Sequence, residues 1–199
     1  MRFLKKLILF TLLVLFAGAA VVGGRLIWQG YQIYKQVTDE ESLTEKVAEI
    51  RPNPHYTTLD ELPQTYKDAV IAVEDSRFYR HGGFDLISTG RAVIINLKEG
   101  ELAEGGSTIT QQLAKNMYFT QEKKFLRKVA ELFVAFELER DYTKDEILEL
   151  YLNTIYFGSG YYCVYDAAEG YFGKEPAQMT DYESTLLAGI PNAPSVYSL

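Results

Sequence analysis

An unbroken apolar run near the N-terminus constrains this chain more than any other feature. Residues 7–22 are apolar apart from Thr11, and two glycines carry the run to Arg25. The 18 residues from Leu7 to Gly24 are close to the ~20 that an α-helix needs to cross a bilayer. The sequence therefore predicts one transmembrane helix, followed by a body that must fold from the remaining residues.

Basic residues on one side of the run predict its orientation. Arg2, Lys5 and Lys6 precede it, and Lys and Arg beside a first membrane helix favour the cytoplasmic side. We expect a single-pass membrane protein, with a cytoplasmic tail over 1–6, an anchor over 7–28 and an extracytoplasmic body.

A cleaved signal peptide is the alternative to an anchor. Ala17-Gly18-Ala19 resembles a signal-peptidase cleavage site. The anchor is favoured because the apolar run continues past that site, and Leu26, Ile27 and Trp28 prolong it. Both alternatives place the body outside the cytoplasm.

Composition limits the body to one packed domain without disulfides. Of 199 residues, 47% are hydrophobic, which is enough for one core. The single cysteine, Cys163, can form no internal disulfide. Without the three basic residues that precede the apolar run, 17 basic residues remain against 27 acidic ones. Such a body argues against nucleic acid as a partner, so any anionic ligand needs a local basic cluster.

Apolar residues at helical spacing predict a mainly α-helical body. The segment 29–54 is expected to be a juxtamembrane stalk, because Pro52 and Pro54 stop its helical pattern. The globular domain is expected over 55–199. Its predicted helices are 59–73, 86–97, 108–118, 125–140, 144–156 and 182–190.

Glu74 is the first candidate catalytic residue. It follows the apolar run Ala69-Val70-Ile71-Ala72-Val73, and burial raises the pKa of a carboxyl group because it disfavours the charged form. A raised pKa suits a general acid or base that works near neutral pH.

A polar block over 105–116 is the second candidate. Thr108 and Gln111 have the spacing of a capping box, and Ile109, Leu113 and Met117 form an apolar stripe. The helix N-terminus and the ammonium group of Lys115 together suit an anion. An ordinary capped amphipathic helix is the alternative, although it leaves the density of amides and hydroxyls unexplained.

The third candidate is the pair Arg127 and Glu131, one helical turn apart. A weak surface ion pair is the alternative. The helix that carries them is apolar over much of its circumference, which predicts that it is buried and that Glu131 needs partners.

His81 is more typical of a structural hydrogen bond than of catalysis, and no His or Cys spacing predicts a zinc site.

Five motifs in order resemble the peptidoglycan glycosyltransferases of family 51. This family comprises monofunctional transglycosylases and the glycosyltransferase domains of class A penicillin-binding proteins. The motifs are Glu74-Asp75-x-x-Phe78-x-x-His81-x-Gly83, Gly106-Ser107-Thr108-Ile109-Thr110-Gln111-Gln112-x-x-Lys115-Asn116, Arg127-Lys128-x-x-Glu131, Ile147-Leu148-Glu149-x-Tyr151-Leu152-Asn153 and Tyr171-Phe172-Gly173-Lys174. The resemblance covers roughly residues 55–199.

The resemblance implies a lysozyme-like helical fold with a membrane-associated lobe, behind one N-terminal transmembrane helix. It implies polymerisation of lipid II, in which Glu74 removes the proton of the acceptor 4-hydroxyl and undecaprenyl pyrophosphate leaves with inversion. Glu131 would orient the nearby cations or a divalent ion, Mg²⁺ or Mn²⁺. The substrate-binding residues implied are Asp75, Phe78, His81, Ser107, Thr108, Gln111, Gln112, Lys115, Asn116, Lys123, Arg127, Lys128, Asn153, Lys174 and Asn192.

The implied partners are lipid II, the growing glycan chain, the cytoplasmic membrane and penicillin-binding transpeptidases. Lys123 stands where the family usually has an arginine, and family domains usually continue beyond the equivalent of Leu199, so a shortened domain is one expectation. A membrane-tethered scaffold that binds lipid II without turnover is one alternative function, and a lysozyme-like glycan-cleaving enzyme is another.

Overall fold

The computed structural model describes residues 2–99, 105–119 and 125–192. Within these ranges the chain forms helices and turns, with no strand, which confirms the predicted mainly α-helical fold. The α-helices are α1 (Arg2–Glu40), α2 (Leu43–Ile50), α3 (Gln64–Glu74), α4 (Leu86–Glu99), α5 (Ile109–Tyr118), α6 (Phe125–Asp141), α7 (Lys144–Leu152), α8 (Val164–Phe172) and α9 (Asp181–Gly189). Short 3₁₀ turns lie at Leu59–Glu61, Phe78–Arg80, Pro176–Gln178 and Ile190–Asn192.

Local sequence signals set several helix ends. The Thr108 hydroxyl accepts a hydrogen bond from the Gln111 backbone N–H, and the Gln111 side chain accepts one from the Thr108 N–H. This is the predicted capping box of α5. Thr143 and Glu146 form the same motif at the start of α7. Each box satisfies backbone donors that the helix itself leaves unpaired.

The core forms around α5. Its predicted apolar stripe of Ile109, Leu113 and Met117 is at most 9% exposed. These side chains share a core with buried residues of α6 and α7, and α5 packs on both helices. Separately, α3 packs along α9. This arrangement presents the end of α3, the start of α5 and the first turns of α6 to one side of the core.

Helix α1 is longer than the predicted anchor and packs on α6. The segment Phe3–Glu40 is long and apolar enough to cross a membrane. The two helices are in close contact at Gly30, where a Cβ atom would lie 2.4 Å from Cγ1 of Val129. The rings of Tyr31 and Tyr34 lie 5.4 and 5.7 Å from that of Phe133. The C-terminal part of α1, after the predicted anchor, is therefore in direct contact with the body.

Packing begins earlier than the predicted domain start at residue 55. Leu43 and Val47 of α2 are 4% and 3% exposed and belong to the main core. The segment predicted as a stalk over 29–54 thus contributes to the folded body. Within this segment α1 stops at Glu40, and Ser42 caps α2.

Three other helix predictions differ from the structure. The helix predicted over 59–73 begins only at Gln64, after Pro63, as α3. Helix α7 stops at Leu152 instead of Tyr156, where Asn153 forms the C-cap and both its backbone N–H and its side-chain amide donate to the Glu149 carbonyl oxygen. Helix α8 was not predicted. Its buried face consists of Val164, Ala167 and Ala168, which give a weak apolar signal.

Candidate active site

An open cleft of about 540 Å³ is lined by parts of α3, α4, α5 and α6 and by the turn at Ile190–Asn192. Ten residues predicted from the sequence line it. They are Glu74, Asp75, Ser107, Thr108, Gln111, Gln112, Lys115, Arg127, Lys128 and Asn192. Residues more than a hundred positions apart thus meet at one surface.

Glu74 is the last residue of α3 and lies at the wall of this cleft. Its Oε2 atom accepts a hydrogen bond of 2.7 Å from the side-chain N–H of Gln112. Its Oε1 atom is buried and has no hydrogen-bond partner among the described residues. Burial raises the pKa of Glu74, the Gln112 hydrogen bond opposes this rise and the charge of Asp75 adds to it. The result is a carboxylate suited to accept a proton near neutral pH.

Asp75 holds the elements of the site together. Its Oδ2 atom accepts the backbone N–H of Ile109 at 3.1 Å, and its Oδ1 atom lies 2.8 Å from Nε2 of His81. The first turn of α5 is therefore tied to the residue after Glu74. His81 supports Asp75 and does not line the cleft, and Phe78 is fully buried in the core.

A positively charged wall faces Glu74. Nε of Arg127 lies 2.9 Å from one oxygen of Glu131, and Nζ of Lys128 lies 3.0 Å from the other. The Glu131 side chain is fully buried, as the sequence predicted. Lys128 also donates to the Ser107 hydroxyl at 2.7 Å. One carboxylate thus fixes two cations at the cleft, and Lys115 of α5 adds a third.

Three more of the predicted site residues do not line the cleft. Asn116 is exposed and does not line the cleft. The Asn153 side chain hydrogen bonds the N–H and the carbonyl of Thr57, and Lys174 pairs with Glu183 at 2.7 Å. Lys123 lies outside the described residues. Asn153 and Lys174 therefore make contacts within the fold, away from the cleft.

Arg91 of α4 also lines the cleft, although the sequence analysis did not single it out. It stands in a predicted helix directly before the apolar residues Ala92 and Val93, of which Ala92 is buried. A single basic residue in an otherwise uncharged predicted helix was the signal that could have identified Arg91. With Arg91, four described basic residues border the site.

Two carboxylates and one imidazole near the cleft have the composition of a metal site. Asp75, His81 and Asp85 each bring one ligand atom within 4.8 Å of the others. Asp85 already accepts the backbone N–H of Ile87 and the Ser88 hydroxyl. Burial would raise the pKa of Asp85, but these hydrogen bonds outweigh it and lower the pKa to about 2. Both carboxylates already accept hydrogen bonds that stabilise the fold. This group therefore does not indicate a metal centre.

Comparison with known proteins adds an independent finding. The sequence model of the family described as Transglycosylase matches residues 39–199. Penicillin-binding protein 1F of Bacillus subtilis is 51% identical over 146 residues, which are 73% of this chain and 20% of that protein. Penicillin-binding protein 1A/1B of the same organism is 41% identical over 209 aligned positions, covering 98% of this chain and 23% of the relative.

A protein of Cupriavidus necator named "Putative transglycosylase" is 44% identical over 176 residues. These are 88% of this chain and 75% of that protein. The chain therefore spans about a fifth to a quarter of the length of the penicillin-binding proteins and most of the length of the third relative.

Proposed function

This chain belongs to the transglycosylase family, the family 51 glycosyltransferases, and on that basis we propose that it polymerises lipid II into peptidoglycan strands, with Glu74 as the general base. One observation carries the proposal. A buried carboxylate with a raised pKa and a group of fixed cations share one cleft. The first suits removal of a proton from a sugar hydroxyl, and the second suits departure of a pyrophosphate.

Glu74 would take the proton of the acceptor sugar's 4-hydroxyl. The oxygen then attacks the anomeric carbon of the growing chain from the face opposite the leaving group, which gives inversion. The bond from that carbon to the phosphate oxygen breaks, and undecaprenyl pyrophosphate departs with the electron pair. Oε1 of Glu74 is available as the acceptor, because Gln112 occupies Oε2.

The cations would stabilise charge that develops on the leaving group. Preorganised charges favour a transition state when they need no rearrangement during the reaction. Glu131 provides this order, since its buried carboxylate holds Arg127 and Lys128 in place. Ser107, Gln112 and Asn192 would contact sugar or phosphate groups, and Lys115 would add charge near the start of α5.

A divalent cation remains part of the proposal only as a companion of the substrate. Both oxygens of Glu131 already pair with cations, so the described residues do not form a ready Mg²⁺ or Mn²⁺ site there. Such an ion would be held chiefly by pyrophosphate oxygens, and the roles of Glu74 and Gln112 do not depend on it.

Membrane attachment supports a lipid-linked substrate. Large apolar side chains of α1 are exposed along most of its first half. Helix α4, which borders the cleft through Arg91, also exposes Leu86, Ile87 and Leu97. We expect α1 to cross the membrane with its N-terminus in the cytoplasm and α4 to face the outer leaflet, which would bring the polyprenyl chain of lipid II to the cleft.

Incubation of the detergent-solubilised chain with labelled lipid II and Mg²⁺ tests the proposal, with products resolved by length. Glu74→Gln should abolish polymer formation while it leaves lipid II binding intact. Glu169→Gln makes the same chemical change at an exposed position of α8 and should polymerise as the wild type does. Polymer from Glu74→Gln would contradict the proposal. Binding of lipid II without polymer in the wild type would favour the scaffold, and cleavage of finished peptidoglycan would favour a hydrolase.

A further inference from the structure

A chain of two hydrogen bonds connects the core to the candidate base. The Tyr151 hydroxyl donates to Oε1 of Gln112 at 3.3 Å. The side-chain N–H of Gln112 then donates to Oε2 of Glu74 at 2.7 Å. Tyr151 belongs to α7, Gln112 to α5 and Glu74 to α3. Three helices therefore meet through one amide group.

The orientation of that amide decides whether it stabilises or repels the negative charge of Glu74. An amide side chain has a donor end and an acceptor end. With the N–H end toward Glu74, it stabilises the ionised carboxylate. With the oxygen end toward Glu74, it would repel that charge. A hydroxyl that donates to the Gln112 oxygen favours the first orientation.

Tyr151 is well placed to impose this orientation. Its side chain is fully buried, and α7 packs against α5, so its ring is surrounded by the core. Burial raises the pKa of Tyr151 well above its ordinary value. The hydroxyl therefore remains protonated, and able to donate, throughout the pH range in which Glu74 titrates.

We propose that Tyr151 is a positioning residue that acts through Gln112 to hold Glu74 in its ionised, proton-accepting form. The proposal rests on the role of Glu74 as general base. It assigns to Tyr151, which touches neither the cleft nor the substrate, control over the pH at which the reaction begins.

Other titratable and charged groups lie near Glu74 or along the cleft, so the effect of Tyr151 must be separated from any effect of theirs. They come from α3, α4, α5, α6 and α7 and from the residue after α3. They are Tyr66 on α3, Asp75 after it, Arg91 on α4, Lys115 on α5, Arg127 and Lys128 on α6, and Tyr151 on α7. Tyr151→Phe leaves all the others unchanged.

The pKa of Glu74 should be measured directly by carbon-13 NMR titration of the full chain in detergent, without substrate. Tyr151→Phe frees the Gln112 amide, and we expect the pKa of Glu74 to rise by about half a pH unit to one unit. The acidic limb of the polymerisation rate should move upward by the same amount. Tyr151 itself does not line the cleft, so a change in the KM for lipid II without a shift of the acidic limb would contradict the proposal.

Tyr66→Phe is the matched control. Tyr66 is also fully buried, and the charge of Glu74 raises the pKa of its hydroxyl, but that hydroxyl has no hydrogen-bond partner among the described residues and does not contribute to the raised pKa of Glu74. Loss of that hydroxyl should leave both the pKa of Glu74 and the acidic limb in place. In a Gln112→Leu background, Tyr151→Phe should have no further effect on the pKa, since the connecting amide is gone.

An unchanged pKa of Glu74 in a folded Tyr151→Phe chain would overturn the proposal, as would an equal shift in Tyr66→Phe. If Tyr151→Phe fails to fold, 3-fluorotyrosine in place of Tyr151 keeps the side-chain shape and strengthens the donor. It should then lower the pKa of Glu74, and no shift would contradict the proposal. The titration needs no turnover, so failure of the wild type to polymerise lipid II would count against the proposed function alone.

Discussion

At the scale of single residues, the ionised form of Glu74 serves the proposed chemistry but lowers the stability of the fold. Glu74 is mostly buried, and its pKa is raised by that burial despite the hydrogen bond from Gln112. In the unfolded chain the same carboxyl group titrates near its ordinary pKa. Between these two values the folded protein binds more protons, so its stability falls as the pH rises. The ionised carboxylate that the reaction needs is therefore a source of instability at neutral pH.

Glu74→Gln should stabilise the fold by about 1 kcal/mol at pH 7.5, because it removes a charge that burial disfavours. At pH 4 the carboxyl is protonated in the folded state, and the gain should largely disappear. Thermal unfolding at both pH values measures this, with Glu169→Gln as the exposed control. A Glu74→Gln chain that is less stable than the wild type at pH 7.5 would argue against a strained carboxylate.

Arg127 provides the second test at this scale. A lysine at position 127 would keep the charge but lose the planar, two-pronged guanidinium that matches phosphate. Arg127→Lys should therefore reduce the polymerisation rate about tenfold, the effect of losing one charge-assisted hydrogen bond. Arg140→Lys makes the same change at an exposed position of the same helix and should leave the rate unchanged. Equal rates for both variants would exclude a specific role of the Arg127 guanidinium.

At the scale of helices, sequence patterns predicted the elements that have strong apolar stripes and clear caps. The stripe and capping box of α5 are confirmed. Helix α8 escaped prediction because alanines dominate its buried face. The motifs predicted which residues gather at the cleft, yet Phe78 and Asn153 face the core. A motif fixes the order of residues along the chain, whereas the direction of a side chain depends on the packing of other helices.

The contact between α1 and α6 gives a prediction for a whole helix. Gly30→Ala would place a Cβ atom 2.6 Å from Cβ of Val129, so the helices must separate. We expect a loss of about 1–3 kcal/mol in the free energy of unfolding. Gly24→Ala is the matched control in the same helix, since nothing lies within 4 Å of its added Cβ. Denaturant unfolding in detergent compares the two.

A double variant makes that test specific. Val129→Ala removes the Cγ1 atom that the new methyl group would meet at 2.4 Å and keeps the Cβ atom at 2.6 Å, so Gly30→Ala with Val129→Ala should recover only part of the lost stability. Because α6 carries Arg127 and Glu131, the single variant should also slow polymerisation. A Gly30→Ala chain as stable as Gly24→Ala would show that α1 does not pack on α6 in solution.

At the scale of the whole molecule, apolar surface lies on two elements. Helix α1 exposes its apolar half, and α4 exposes Ile94 and Leu97 at 56% and 78%. Soluble proteins rarely leave such patches open to water. The acidic body offers little attraction to anionic lipid, so membrane binding must depend on apolar contact. Removal of the apolar half of α1 should therefore reveal how much α4 contributes to membrane binding.

A chain without residues 2–22 should keep its helical fold, because the buried contacts of α1 begin at Gly30. It should lose stable anchoring but retain weak binding to phospholipid vesicles through α4. In that background Leu97→Glu should abolish the remaining binding, since a charge there opposes insertion. Tyr182→Glu changes a side chain of α9 that is equally exposed, at 75%, and should bind as the shortened parent does. Vesicle sedimentation measures all three chains, and circular dichroism confirms that they fold. If Leu97→Glu and Tyr182→Glu weaken binding equally, α4 is not the membrane-facing element, and the cleft must receive its lipid-linked substrate from another side.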